Sequence, residues 1–334
     1  MMKRLILTVG LWFLTACAAG PGFEAGHAAH ERGDFKTAFE ILLPLAQAGD
    51  ASAQVMLGTA YASGNGMPQD AAEADKWFGK AAQSRIYKPA DIAALYQKGD
   101  GVPKDVRKAI VWYEKGADEG DPWALYSLGA IYESGEGAPV DYDKAFTFYT
   151  RSVSAGGQYG HGGLAEMYRL GKGRPVDIER AVLHLKAVAA AGDSRSMWLL
   201  GDIHGDSAGE SADLEKAEAY YLQSARAGNV VGMNKLALFY RMKAEKPRQA
   251  LKWWLVLFRK GVVEAAYSIG YLYHDGLLGG QPEKVEALAW FRIGLEQGVE
   301  GLKPLVNTLE SEFGPYDLAQ AERRKRAIKA DLGL

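Results

Sequence analysis

The chain has few of the features that mark a disulfide-stabilised, nucleic-acid-binding or disordered protein. Its 334 residues include one cysteine, so no internal disulfide framework and no multi-cysteine metal site can form. Lysine and arginine number 39 against 41 aspartates and glutamates, and this balance argues against a nucleic-acid partner. Apolar residues make up 48% and charged residues 24%, which excludes wholesale disorder and is typical of a chain that folds around a core.

Motifs for catalysis and metal binding are also scarce. The chain has several Gly-x-Gly turns, but they lack the Gly-Lys-Ser/Thr of phosphate loops and recur with a fixed period, so they are interpreted as turns. None of the six histidines has His-Glu-x-x-His spacing, and the pair His27 and His30 has no third candidate ligand. We therefore predict no catalytic residue, no metal site and no cofactor.

Long hydrophobic runs are absent too, and the most apolar segment lies near the N-terminus. Residues 1–4 form a basic head, and residues 5–14 are apolar. This run is shorter than the about 20 residues that cross a bilayer as a helix, and it has the length of a signal-peptide core. It is followed by Leu-Thr-Ala-Cys at residues 14–17, which contains the single cysteine, Cys17.

This segment resembles a bacterial lipoprotein signal with its lipobox. The resemblance implies cleavage before Cys17, which leaves residues 1–16 as the signal peptide, and acylation of the cysteine and of its new N-terminus. Residues 17–23 then form the lipidated cysteine and a short linker. Ala18, rather than aspartate, follows the cysteine, which in Gram-negative lipoproteins implies an outer-membrane anchor facing the periplasm. The alternative is an ordinary secretory signal in which the cysteine is incidental.

A repeated amphipathic pattern fills most of the remaining chain. Small and aromatic residues recur at offsets 0, 3, 4, 7 and 8, which places them on one face of a helix, as in residues 74–82. The copies begin at Ala38, Ala74, Ala109, Ala145, Ala181, Ala217, Ala250 and Ala287. Their spacing of 33 to 37 residues is typical of a solenoid.

A second helix and a turn precede each of these aromatic helices. We name them helix A, with Leu-Gly or Leu-Ala and then Tyr as in residues 128–132, and helix B, the aromatic helix. The turn reads Gly-x-Gly-x-Pro-x-Asp, as in residues 135–141. We predict that its first glycine ends helix A in a left-handed conformation and that its aspartate caps helix B. Asp70 with Glu73 additionally predicts a capping box.

This 36-residue helix pair resembles the Sel-one-like repeat, a relative of the tetratricopeptide repeat. The resemblance covers residues 50–298 well and residues 24–49 as a partial first copy. It implies an all-α, right-handed α/α superhelix (solenoid) of about eight helix pairs over residues 24–298. His184 and His204 occupy aromatic positions of the repeat, so both are predicted to pack in the core.

The repeat fades after residue 298, and residues 299–334 are predicted to form a C-terminal cap. We expect a short helix over residues 304–313 and a final amphipathic helix over residues 316–332, since solenoids need a terminal element with a polar outer face. The basic run at residues 323–326 is interpreted as a solvated face of this cap, with polyanion binding as the alternative.

Solenoids bind partners in a groove lined by exposed positions of helix A. The resemblance places these positions six before, two before and one after each helix A tyrosine. Their unusual occupants are Glu166, Arg169, Trp198, Asp202, Asn234, Arg241, Tyr267, Tyr271 and His274. Aromatic and arginine side chains are enriched at binding hot spots, so we predict partner binding here. For Trp198, Tyr267 and Tyr271, packing between repeats remains the alternative.

The resemblance implies a non-enzymatic scaffold that binds protein or peptide partners of the cell envelope. Similar lipoproteins built from such repeats assist envelope assembly, including exopolysaccharide secretion machines. One alternative is a glycan- or peptidoglycan-binding envelope protein or enzyme, in which sugars stack on Tyr267 and Tyr271. Another is a periplasmic regulator that inhibits a sensor by binding it.

Overall fold

The structure, a computed structural model, describes residues 21–84, 86–205 and 212–334. Over these residues it contains eighteen α-helices, one short 3-10 helix and no strand, so the all-α prediction is confirmed. The helices are α1 Pro21–Glu31, α2 Phe35–Gln47, α3 Ala51–Ser63, α4 Ala71–Ala82, α5 Pro89–Lys98, α6 Val106–Asp118, α7 Pro122–Ser134, α8 Tyr142–Ser154, α9 Gln158–Leu170, α10 Ile178–Ala190, α11 Ser194–Gly205, α12 Leu214–Arg226, α13 Val230–Met242, α14 Pro247–Arg259, α15 Ala265–His274, α16 Lys284–Glu296, α17 Lys303–Glu312 and α18 Pro315–Leu332. The predicted signal segment and Cys17 lie outside the described residues.

The helices follow one another in the predicted A–B order, within two compact units that meet in the chain at residues 181 and 182. In the first unit α1 packs on α2, α3 on α4, α5 on α6 and α7 on α8, and α9 adds to α8. In the second unit α11 packs on α12, α13 on α14 and α15 on α16, and α18 covers α16. Among the described residues, no helix is long and apolar enough to span a bilayer.

The turns between helices A and B have the predicted chemistry. Gly135 ends α7 with φ 77°, in the left-handed region that favours glycine, and its N–H donates to the Ile131 carbonyl. Six residues later, Asp141 Oδ1 accepts a 2.9 Å hydrogen bond from the Lys144 N–H and caps α8. The corresponding aspartates cap α4, α6 and α12 in the same way.

The predicted capping box at the start of α4 is wrong. Asp70 Oδ1 does accept from the Glu73 N–H at 3.0 Å. However, the Glu73 carboxylate pairs with Lys76 Nζ at 2.9 Å instead of returning to Asp70. The Asp70 N–H already donates to the Tyr61 carbonyl across the turn, so it has no need of the glutamate.

The core is built from the small and aromatic positions of the repeat. The leading alanine is at most 2% exposed in every copy, and the aromatic four residues later in α8, Tyr149, is 2% exposed. A Cβ at Gly129 of helix A would lie 2.6 Å from the Tyr149 ring, so glycine is what allows the two helices to approach. The small residue of helix A therefore permits close packing on helix B.

Neither of the two repeat histidines that were predicted to pack in the core is fully buried. His184 and His204 are both half-buried. The His204 ring stacks on Tyr220 with a centroid distance of 5.6 Å and an interplanar angle of 9°. Burial lowers the pKa of His204, and nearby Lys216 lowers it further.

The two helices predicted for the cap are present as α17 and α18, but the basic run of α18 is not one solvated face. Four consecutive residues turn about 100° each around a helix, so residues 323–326 point in different directions. Arg324 Nε lies 2.6 Å from Glu286, and Lys325 Nζ lies 2.5 Å from Glu296, both on α16. The Lys325 side chain is only 13% exposed. Arg324 and Lys325 therefore join the cap to α16 through ion pairs.

Candidate partner-binding surfaces

We use the term helix A face for the surface formed by the first helices of the pairs. In the first unit α5 contacts α7, and α7 contacts α9, so these first helices lie side by side. Helices α6 and α8 pack behind α5 and α7. Side chains of α5, α7 and α9 that are not buried against α6 and α8 therefore form a shared surface.

The helix A face of the first unit carries a cluster of aromatic rings, Trp123, Tyr126 and Tyr159. The Trp123 ring lies 5.4 Å from Tyr126 and 5.1 Å from Tyr159, measured between centroids. Tyr126 and Tyr159 are 5.5 Å apart. Trp123 is 43% exposed and Tyr159 61% exposed. Large aromatic area is thus presented to solvent by a packed cluster.

The sequence prediction did not single out this cluster. The positions used there lie six before, two before and one after each helix A tyrosine, whereas Trp123 and Tyr159 lie nine before it. Tyr126 occupies one of these positions, six before Tyr132, but is not among the residues predicted to bind a partner. The sequence does contain a signal for this cluster. Tyr87, Trp123 and Tyr159 are aromatic residues that recur at the repeat spacing of 36 residues.

A cavity of about 290 Å³ opens beside Trp123. It is lined by residues of α3, α5 and α7, the first helices of three successive pairs, by Tyr113 of α6, and by the segments on either side of α5. Its apolar wall consists of Val55, Tyr87, Ala94, Leu95, Tyr113 and Trp123. Its polar lining includes two carboxylates and one ammonium group, from Asp91, Asp100 and Lys98. The lining is therefore mainly apolar, and carboxylates outnumber ammonium groups among its ionisable residues.

The groups around the cavity are held by short hydrogen bonds. The Tyr113 hydroxyl donates to Gln97 Oε1 at 2.7 Å, and Asp91 Oδ2 accepts from the Lys88 N–H at 2.8 Å. Burial raises the pKa of Tyr87; a hydrogen bond with Ser52 opposes this, and Asp91 adds to it. The walls of the cavity are thus positioned by the fold before any partner arrives.

The predicted pair Glu166 and Arg169 lies on α9 in the same unit. Arg169 Nη2 is 3.0 Å from Glu166 Oε1, and both side chains are half-buried. Nearby Glu133, which was not predicted, is 15% exposed; it accepts from the Tyr149 hydroxyl at 2.6 Å and from Lys172 Nζ at 2.7 Å. These charges are already paired within the protein.

In the second unit, Lys235 brings together two of the predicted residues. Its Nζ lies 2.9 Å from Asp202 Oδ2 and 5.6 Å from the centroid of the Trp198 ring. Asp202 also accepts a 2.7 Å hydrogen bond from the Tyr221 hydroxyl. Trp198 is half-buried against the core of this unit, so much of its ring packs rather than facing solvent.

Two other predicted residues lie on α13. Asn234 is exposed, and its Oδ1 accepts a 3.0 Å hydrogen bond from Trp254 Nε1. Arg241 is half-buried near the end of the helix. The Asn234 amide is therefore oriented by a core tryptophan of helix B.

The remaining predicted residues, Tyr267, Tyr271 and His274, form one cluster on α15. The Tyr271 ring lies 4.7 Å from Tyr267 and 5.8 Å from His274. Tyr271 also packs 5.6 Å from the buried Phe291, whereas Tyr267 is 43% exposed. Burial raises the pKa of Tyr271, and its hydrogen bond with Tyr267 raises it further. Tyr271 thus serves packing, and Tyr267 faces solvent.

The described residues contain no group of three or more His, Cys, Asp or Glu side chains arranged to hold a metal ion. His27 stacks on Phe23 with centroids 6.0 Å apart. His30 is half-buried beside Phe35, and burial lowers its pKa. The two histidines at the N-terminus are therefore accounted for by ring packing.

Comparison with known families identifies the repeat. The Sel1 repeat model matches residues 51–84, 90–121, 124–157, 155–193, 194–229 and 263–299. The chain therefore belongs to the Sel1 repeat family. Proteins of this family are generally non-catalytic scaffolds that mediate protein–protein interaction.

Solved structures with the same architecture agree with this assignment. A Sel1 repeat protein from Oxalobacter formigenes is 25% identical with a TM-score of 0.65, over 91% of this chain and 92% of that one. A protective antigen of uropathogenic Escherichia coli with an SLR fold is 21% identical with a TM-score of 0.50, over 92% of this chain and 76% of that one. The second likeness concerns the fold alone. No curated relative matches the chain.

Proposed function

We propose that this protein is a lipid-anchored scaffold on the periplasmic side of the outer membrane, which holds a protein or peptide partner on its helix A face. In this proposal it is not an enzyme, and it assists an envelope assembly or exopolysaccharide secretion machine. The main support is the exposed cluster of Trp123, Tyr126 and Tyr159 beside an apolar cavity. Burying such aromatic area against a partner contributes binding free energy of about 25 cal/mol per Å² of apolar surface before the costs of association.

The polar groups of the helix A face support a scaffold rather than a catalyst. Glu133 and Asp202 each accept hydrogen bonds from a tyrosine and a lysine, and Glu166 pairs with Arg169. Carboxylates held in this way keep the surface rigid. Rigid surfaces lose less conformational entropy when a partner binds, which favours docking.

The anchor is tested by replacing the cysteine that would carry the lipid. We expect Cys17→Ser to release the protein from the membrane fraction, because each buried CH₂ of an acyl chain contributes about 0.8 kcal/mol to anchoring. Helix α1 begins at Pro21, so it takes in part of the linker predicted over residues 17–23. A serine variant that remains in the membrane fraction would contradict the lipid assignment.

Partner binding is tested with tagged protein and an envelope extract. We expect one stoichiometric protein partner, which the double variant Trp123→Ala/Tyr159→Ala no longer retains. Tyr316→Ala is the matched control, because Tyr316 is also an exposed aromatic, 73% exposed, but lies on α18 of the cap. If the double variant and the control retain the partner equally well, the aromatic cluster is not the binding site.

A glycan-binding function is the second candidate, and the exposed Tyr267 beside Tyr271 favours it. Sugar rings stack on such aromatic surfaces. This function predicts retention of the protein on purified peptidoglycan or polysaccharide, and loss of that retention in Tyr267→Ala. If the protein retains a protein partner but does not itself bind peptidoglycan or polysaccharide, the scaffold function is favoured over glycan binding.

A further inference from the structure

The cavity beside Trp123 is small for a binding site. Ligand pockets usually measure about 300–1,000 Å³, and this cavity, at about 290 Å³, is just below that range. It has room for one bulky side chain of a partner. A longer ligand would have to continue outside it, over the exposed rings of Trp123 and Tyr159.

The interior of the cavity favours an apolar group. Val55, Leu95 and Trp123 form part of a wall contributed by three separate helices. A sugar placed inside would face this apolar wall, and each buried hydroxyl that found no hydrogen-bond partner would cost about 1–3 kcal/mol. An aromatic or large aliphatic side chain has no such groups to satisfy.

The charges around the cavity favour a basic neighbour. Asp91 and Asp100 line it together with Lys98, so the carboxylates are in excess. Lys88, which adjoins the site in sequence, is already paired with Asp121 at 3.2 Å. Opposite charge on a partner improves encounter and selectivity more than it improves affinity itself.

We propose that this cavity takes an aromatic or large aliphatic side chain of an extended partner peptide, with a lysine or arginine beside that side chain facing Asp91 and Asp100. This inference rests on the proposed scaffold function and names the chemistry of its partner. The exposed rings of Trp123 and Tyr159 then cover the peptide as it leaves the cavity.

Three matched peptides test the proposal against the full-length protein in detergent. Each is a nine-residue Gly/Ser peptide with capped ends and a fluorescent label, and the central triplet is Lys-Phe-Lys, Glu-Phe-Glu or Lys-Ala-Lys. We expect fluorescence anisotropy to give the Lys-Phe-Lys peptide a dissociation constant at least ten times lower than those of the other two. Equal binding of all three, or no binding of any, would overturn the proposal.

Two variants locate the binding site. Trp123→Ala should weaken Lys-Phe-Lys binding at least tenfold, whereas Tyr316→Ala on the cap should leave it unchanged. Asp100→Lys should reverse the charge preference, so that the Glu-Phe-Glu peptide binds more tightly than Lys-Phe-Lys. Asp100 lies in the turn after α5, so this variant does not depend on removing an aromatic ring from the surface. An unchanged preference in Asp100→Lys would overturn the charge assignment.

The same variants separate this inference from the proposed function. If the envelope partner binds equally well to wild type and to Trp123→Ala, the scaffold function stands and the cavity proposal fails. If the Lys-Phe-Lys peptide binds as expected while no envelope partner is retained, the cavity proposal stands and the scaffold function fails. Binding of a neutral oligosaccharide that competes with the Lys-Phe-Lys peptide would also overturn the peptide assignment.

Discussion

The Tyr149 hydroxyl donates a 2.6 Å hydrogen bond to Glu133 Oε2, and so joins the core of helix B to a carboxylate on the helix A face. Lys172 Nζ holds the other oxygen of Glu133 at 2.7 Å. Burial raises the pKa of Tyr149, and the contact with Glu133 raises it further, so the hydroxyl stays protonated and remains a donor. The second unit repeats the arrangement, with Tyr221 and Lys235 on Asp202.

Removing the Tyr149 hydroxyl tests this relationship. Tyr149→Phe should lower the free energy of unfolding by about 1.5–3 kcal/mol, the usual range for a hydrogen bond to a charged group. Urea denaturation of the purified protein measures the change. Tyr159→Phe is the matched control, because its ring is 61% exposed, and it should change stability by less than about 0.5 kcal/mol. Equal effects of the two variants would contradict the structural role of the Tyr149 hydroxyl.

Gly129 should not tolerate a side chain. Its Cβ would lie 2.6 Å from the Tyr149 ring, so Gly129→Ala should destabilise the protein by about 1–3 kcal/mol through overpacking. Gly79 lies inside α4, and a Cβ there would meet no atom within 4 Å. Gly79→Ala should therefore stabilise the protein by up to about 1 kcal/mol. Melting temperatures measure both changes, and shifts of the same sign would refute the close helix approach.

Trp112 tests the register of helix B. It is 3% exposed and lies 6.4 Å from Phe78, measured between ring centroids. Trp112→Ala should lower the free energy of unfolding by about 3–5 kcal/mol through lost burial and a cavity. The adjacent Val111 is 52% exposed, so Val111→Ala should have little effect on the melting curve. If Trp112→Ala does not change the melting curve, this tryptophan is not in the core.

Acid should loosen the attachment of the cap to α16. The hydrogen bond from Lys325 holds the pKa of Glu296 below its ordinary value of 4.5; desolvation opposes this shift, and Lys329 adds to it. Since the pKa is lower in the folded state, Glu296 contributes stability that is present above pH 4.5 and is lost as the pH falls through the folded-state value.

Glu296→Gln should therefore lower stability at neutral pH and flatten its decline below pH 4.5. We expect a loss of about 1 kcal/mol or less, because 38% of the Glu296 side chain is exposed to screening solvent. Urea denaturation at a series of pH values measures both effects. Glu300→Gln, which changes an exposed carboxylate of the short 3-10 helix, provides the control. Parallel pH profiles for wild type and Glu296→Gln would contradict the linkage.

The fold was predictable from the sequence because its determinants are local. The glycine that ends α7 and the aspartate that caps α8 lie six residues apart, and both act on backbone groups within four residues of themselves. The same pattern of turn and capping residues then recurs along the chain with a period of about 36 residues. The capping box at Asp70 failed for a reason that the local pattern does not contain, namely a carbonyl of the preceding helix that takes the same N–H.

The binding surface was decided by the tertiary structure. Asp202 and Asn234 match the predicted positions, but their oxygens accept from Tyr221 and Trp254, which lie 19 and 20 residues further along the chain. Trp123 meets Tyr159 only because α7 and α9 lie side by side. A repeat pattern determines which residues belong to helix A and which to helix B. The pattern does not determine whether a polar group of helix A is already hydrogen-bonded or whether a ring is exposed. Both depend on distances between residues that are remote in sequence, and these distances are set only when the helices pack.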